Sequence, residues 1–96
     1  MTIREYLIEK TLLLEETRLE RLVEIDAPTI VITTLEDYIN QLKAGSIKIG
    51  GDTYVLDREL ESIESKKGRG GKTYYQINHN INFFPTARYG MYIKEV

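Results

Sequence analysis

Gly45-Ser46-Ile47-Lys48-Ile49-Gly50-Gly51-Asp52-Thr53-Tyr54-Val55-Leu56 is the stretch on which the reading of this chain turns. Before it, apolar residues recur at helical spacing. After it they recur every second residue, with glycines where the chain must reverse. Gly45 stops a helix, and Ser46 to Ile49, Gly50-Gly51 and Asp52 to Leu56 together carry the signature of a β-hairpin.

Upstream, Thr2 with Glu5 forms a capping-box pattern, and no Gly or Pro follows until Pro28, so a long first helix is expected over about Ile3 to Ile25. Its apolar residues include Leu12-Leu13-Leu14, Leu19, Leu22 and Val23, a spread wider than one buried stripe. Asp26-Ala27-Pro28 breaks this helix and restarts another, because proline is tolerated where its missing N–H would be unpaired anyway. Val31, Leu35, Tyr38 and Leu42 recur at spacings of four, three and four, which predicts a second helix from about Pro28 to Lys43. The β-branched run Ile30-Val31-Ile32-Thr33-Thr34 also fits a strand ahead of a shorter helix capped by Thr34.

Downstream, Leu60 to Lys66 and Lys72 to Asn78 flank Lys67-Gly68-Arg69-Gly70-Gly71, a second hairpin with a glycine-rich tip. Ile81 to Phe84 and Tyr89 to Ile93 are the last strand candidates, separated by Pro85-Thr86-Ala87-Arg88. The expected fold is α+β: an N-terminal α-helical hairpin (1–44) packed on a small antiparallel β-sheet of four or five strands (45–96). At 96 residues this is one domain, 1–96, with room for a single small core.

Composition narrows the chemistry. With 42% hydrophobic and 29% charged residues and a net charge of -2, the chain has the balance of a folded soluble protein. The absence of cysteine excludes disulfides, thiolate zinc sites and cysteine nucleophiles, and favours a reducing cytoplasm. No apolar stretch reaches the length of a signal or membrane span, so a membrane role is not expected.

Charge is unevenly distributed. Residues 1 to 61 carry seven Lys/Arg against thirteen Asp/Glu, whereas residues 62 to 96 carry six against two. Six of the nine Tyr and Phe residues (Tyr74, Tyr75, Phe83, Phe84, Tyr89 and Tyr92) fall in that basic segment. Strands use aromatic residues in any case, which is the ordinary account of the coincidence.

Catalysis finds little support. Gly71-Lys72-Thr73 ends like a phosphate-binding P-loop, but Lys66 stands where that motif needs its first glycine, and a strand-like Tyr74-Tyr75-Gln76-Ile77 follows in place of a helix. His79 is the single histidine, which removes paired-histidine metal sites and makes a histidine-based triad hard to assemble. The glutamates of the first helix, Glu9, Glu16 and Glu20, suit a solvated face. No enzyme activity, metal or cofactor is expected.

The segment from Lys66 to Arg88 suits another task, holding an anion beside a flat ring. Gly68, Gly70 and Gly71 let backbone N–H groups turn inward as a nest for phosphate oxygens, with Lys66, Lys67, Arg69 and Lys72 adding charge and Arg88 at the end of the segment. Arg69 is the best of these because its fork grips phosphate through two N–H groups. The stacking candidates are Tyr74 or Tyr75 with Phe83 or Phe84, and alternation, which places Tyr75 with Ile77 on the core side and Tyr74 on the other, makes Tyr74 the better of the two tyrosines. Asn78, Asn80 and Asn82 carry amide donors and acceptors for the edge of a base. Each part also has a plain structural use, in a loop, a turn or a core.

Arg18 or Arg21 on the first helix, Tyr74-Tyr75, Asn82 and Arg88, on a short cysteine-free chain with a helical first half and a β-rich second half, give a layout that resembles small accessory proteins of phages of Gram-positive hosts. Within that class it is similar to the anti-Thoeris sponges. The resemblance implies a non-enzymatic, oligomeric anti-defence protein of the bacterial cytoplasm that sequesters a cyclic nucleotide signal, with Arg18 contributing from the helix.

The expected partner is therefore a phosphorylated, nucleotide-like small molecule, sequestered without chemistry. The excess apolar surface of the first helix also predicts a homo-oligomer, with Leu12 and Leu19 at heptad spacing as its seam. The alternative is a protein–protein inhibitor or structural adaptor acting through the helices or the acidic face. A net charge of -2 disfavours nucleic acid.

Overall fold

The computed structural model describes residues 1–85 and 91–96. It contains two helices, α1 (Ile3–Glu24) and α2 (Thr29–Lys43), and five strands, β1 (Gly50–Gly51), β2 (Ile63–Lys67), β3 (Thr73–Ile77), β4 (Ile81–Pro85) and β5 (Met91–Glu95). The chain is α+β, and its segments form two compact units: Arg4–Ile47, and Met1–Ile3 with Lys48–Val96.

In the helical unit both helices end in the same way. The N–H of Asp26 donates to Val23 O and that of Ala27 to Leu22 O, while Gly45 donates to Leu42 O and Ser46 to Gln41 O. These paired bonds satisfy the last carbonyls of each helix around a residue of positive φ, which is Asp26 (57°) in the first and Gly45 in the second. Pro28 then stands at the N-cap of α2, and its carbonyl accepts from the N–H groups of Val31 and Ile32. Residues 30–34 are helical, so the strand alternative does not hold. Having Leu35, Ile39 and Leu42 on one buried stripe settles the competition between β-branching and helical period in favour of the period.

The second unit is a five-stranded sheet in the order β1-β5-β4-β3-β2. Three pairings are antiparallel, as expected, but β1 runs parallel to β5, which makes the sheet mixed. The hairpin expected at 46–56 is absent. Gly50-Gly51 pairs with Tyr92 and Ile93 instead, and Thr53–Asp57 winds into a 3-10 turn. Glycine permits this pairing: Gly51 sits at φ +95°, and a Cβ there would stand 2.0 Å from the Ile93 carbonyl oxygen. The 3-10 turn then buries the adjacent residues Val55 and Leu56 together, which alternation in a strand could not do.

The N-terminus is part of this unit. The N–H of Ile3 donates to Arg58 O and that of Leu60 to Met1 O, and the terminal ammonium sits 2.7 Å from Glu59. The core of the unit is Ile3, Val55, Leu56, Ile77, Ile81, Phe83 and Ile93, all buried.

Candidate functional site

Register decides which side chains share a face. Directly opposed residues on antiparallel strands point to the same side. The pairs Tyr75 with Phe83, Ile77 with Ile81 and Phe83 with Ile93 therefore form the core face. The other face carries two rows. One is Lys66 opposite Tyr74, then Phe84, then Tyr92, ending at Gly50. The next is Glu64, Gln76, Asn82 and Lys94.

The three rings of the first row touch in sequence. Tyr74 and Phe84 are stacked, with centroids 5.4 Å apart and planes at 25°, and Phe84 meets Tyr92 at 6.5 Å and 44°. These offset, tilted arrangements suit the ring quadrupoles. Tyr92 remains 46% exposed, whereas its neighbour Ile93 is completely buried. Glycines close both ends of the row: a Cβ on Gly68 would lie 3.4 Å from Tyr74 Cδ1, and one on Gly50 would lie 3.5 Å from Tyr92 Cδ2. In the polar row, the Asn82 side-chain oxygen is buried without a hydrogen-bond partner among the described residues. Beside it, Lys94 is exposed. Lys66 Nζ lies 3.3 Å from Glu64 at the sheet edge.

The loop between β2 and β3 is a tight turn at the end of the ring row. Gly68 N–H donates to Lys72 O and Gly71 N–H to Gly68 O, so two amides are used within the loop. Gly70 and Gly71 both take positive φ, 70° and 74°, and Arg69, Gly70, Gly71 and Lys72 are exposed.

The residues singled out in the sequence thus separate into groups. Tyr74, Asn82 and Phe84 share one sheet face, with Arg69 to Lys72 at the loop beyond Tyr74. Asn80 lies in the β3–β4 turn, at the other end of β3 from that loop, with its carbonyl accepting from Val96 N–H. Arg18 belongs to the helical unit, where it is 3.5 Å from Glu15. Arg88 and Tyr89 lie outside the described residues. Tyr75 is on the core side beside Phe83, at 6.3 Å, as alternation required. Missing from the sequence-derived site were Tyr92, Gln76 and Lys94, while Lys66, expected to add charge at the glycine loop, stands in the ring row opposite Tyr74. Alternation in Met91-Tyr92-Ile93-Lys94-Glu95 already puts Tyr92 and Lys94 opposite Ile93, and only the pairing register was needed to place them in the two rows.

Other clusters are structural. The Asn78 side-chain oxygen accepts from the N–H groups of Glu61 and Ser62, its amide donates to Glu59 O, and its φ of 52° makes the β3–β4 turn. Next to it, Ser62 Oγ and His79 Nε2 are 3.3 Å apart at the surface. At the opposite edge Glu95 accepts hydrogen bonds from Arg58 and Tyr54, while its own N–H donates to Asp52. The Arg58 and Tyr54 bonds hold the Glu95 carboxyl below its ordinary range, and the same carboxylate raises the Tyr54 hydroxyl. Among the described residues no group of three His, Asp or Glu side chains is placed to hold a metal ion, and no helix is long and apolar enough to cross a membrane. A depression of about 300 Å3 on α1 is lined by Glu9, Lys10, Leu12, Leu13 and Glu16; its two carboxylates make it a poor place for an anion.

Comparison with protein families, with curated proteins and with solved structures finds no match to this chain.

Proposed function

We propose that this protein binds a phosphorylated, nucleotide-like ligand on the solvent-facing side of its sheet and holds it without chemical change. The observation that carries the reading is the row Tyr74, Phe84 and Tyr92, three touching rings left on the solvent side with cationic residues at its end and along its flank. Ring faces attract bases whatever their identity, and Arg69 and Lys72 at the adjoining loop supply charge-assisted bonds to phosphate. Sequestration is the mechanism such a surface allows, and it is also the mode of the anti-Thoeris sponges that the layout resembles. A cysteine-free chain suits the cytoplasm of a bacterial host, and an anti-defence role follows from the same reading.

Calorimetric titration with linear and cyclic mono- and dinucleotides tests it, alongside thermal melts. Arg69→Ala removes an exposed charge and weakens binding by about 1.5 to 3 kcal/mol, with melting unchanged. Tyr74→Ala costs about 1 to 3 kcal/mol of binding. A wild type that binds nothing in the panel, or variants that bind as it does, would remove the proposal.

A second reading concerns the helical unit, which exposes Leu13, Leu14, Val23, Ile25, Ile30 and Val31. This much open apolar surface suits self-association or a protein partner. Leu12 and Leu19 are half-buried, so the exposed neighbours Leu13 and Leu14 are the better seam. Sedimentation of wild type and Leu14→Glu decides it: an assembly that dissociates in the variant supports the reading, and a wild-type monomer at micromolar concentration removes it.

A further inference from the structure

Resting on the nucleotide reading of the same sheet face, we infer that the ligand is a single-stranded oligonucleotide laid across the strands along Tyr74, Phe84 and Tyr92, with two or three consecutive bases over the ring row. The first argument is shape. A small-molecule site encloses most of its ligand, whereas the three rings stand in line on one sheet face with Tyr92 46% exposed. Tyr74 and Phe84, stacked at 5.4 Å, leave no space for a base between them, so bases reach the row along its solvent-side edge and at the exposed ring of Tyr92. Strands about 4.8 Å apart make the run from Lys66 on β2 to Tyr92 on β5 roughly 14 Å long, enough for more than one nucleotide.

The second argument is polarity beside the rings. Gln76 and Asn82 run parallel to the ring row, and the Asn82 side-chain oxygen is an acceptor with no partner among the described residues. A buried acceptor left unpaired is costly, and a turn of the Asn82 amide toward the solvent side would bring it within reach of the amino group of a base.

The third argument is charge. The net -2 of the whole chain conceals a division: the sheet unit carries eight Lys/Arg against six Asp/Glu, and the helical unit five against nine. Lys66 and Lys94 flank the rings on the face itself, and Arg69 and Lys72 stand at the loop next to Tyr74. Phosphates that follow a strand across this face meet Lys66, Arg69 and Lys72 at the Tyr74 end and Lys94 beside Tyr92.

The test is fluorescence anisotropy at low salt with labelled eight-nucleotide single strands of DNA and RNA, competed by unlabelled mononucleotides and by a duplex. The expected result is that the octamers bind at least tenfold more tightly than mononucleotides and than duplex. Tyr92→Leu weakens the octamer at least tenfold while the melting temperature is kept. Lys94→Ala reduces the dependence of affinity on salt by about one phosphate contact. The stronger of the DNA and RNA arms identifies the sugar. Mononucleotides that bind as tightly as octamers overturn this inference and leave the nucleotide reading standing. Equal affinity for duplex overturns it as well, since charge without stacking would explain that. Absence of binding by any probe removes both.

Discussion

The two faces of the sheet are built from the same strands and both carry aromatic rings, yet only one of them is a core. Phe83 and Phe84 are adjacent, as are Tyr75 and Tyr74, and Ile93 and Tyr92. Phe83 is 7% exposed and stands opposite Ile93 in the core, while Phe84 lies between two tyrosines on the solvent side. A chain that needed aromatic residues only for its core would place them on one side. Placing a second set in register on the other side costs solubility, and the proposed ligand, by covering the rings, would offset that cost.

Truncating each row breaks or sharpens this contrast. Phe83→Ala removes a buried ring and lowers stability by about 3 to 5 kcal/mol, read by denaturant titration, with binding lost only as the fold is lost. Phe84→Ala removes two ring contacts from a half-solvated surface and costs about 1 to 2 kcal/mol of stability, with binding falling well before folding does. Equal destabilisation by the two would mean that the solvent-side row is simply a second core.

The short glycine strand β1 comes next. Gly51→Ala places a methyl group against the Ile93 carbonyl in a left-handed backbone, and about 2 kcal/mol of stability is expected to be lost together with the β1 pairing. Hydrogen exchange at Gly51 and Asp52, whose N–H donates to Ile93 O, reports that pairing directly. Protection unchanged in Gly51→Ala would show that β1 is held by something other than close approach.

The smallest effect belongs to the rim at Glu95. Its carboxyl titrates below the ordinary range, chiefly through the Arg58 hydrogen bond and then that of Tyr54. A group whose folded pKa is lowered stabilises the fold above its unfolded value, and that contribution fades as pH falls through the folded one. Thermal melts of wild type and Glu95→Gln should differ slightly at neutral pH and converge in acid below the usual carboxylate range. A gap that widens on acidification contradicts the assignment. The exposed position keeps the effect small.

The sequence reading and the structure agree where a pattern is local. Helical period, the Gly45 stop and the 3.6-versus-2 change of spacing place both helices, and alternation alone separates Tyr74 from Tyr75. What was not legible depends on long-range pairing. Gly50-Gly51 looks like a hairpin turn to any local rule, and only the approach of β5 about forty residues later makes it a parallel strand. The ring row was half seen for the same reason: Tyr74 and Phe84 are close in sequence through one turn, whereas Tyr92 joins them through the register of β4 and β5. Asn80 was grouped with Asn82 by its spacing, yet the turn takes it to the far end of the hairpin.

If the solvent face of the sheet binds the proposed ligand, the core face stays out of contact with it. Two-dimensional NMR of uniformly labelled protein during titration with a single-stranded octanucleotide tests it most directly. The account predicts shifts at the ring resonances of Tyr74, Phe84 and Tyr92 and at the amide side chains of Gln76 and Asn82, with the methyl groups of Ile77, Ile81 and Ile93 unmoved. Shifts confined to the helical unit, or an unchanged spectrum at saturating ligand, would contradict it.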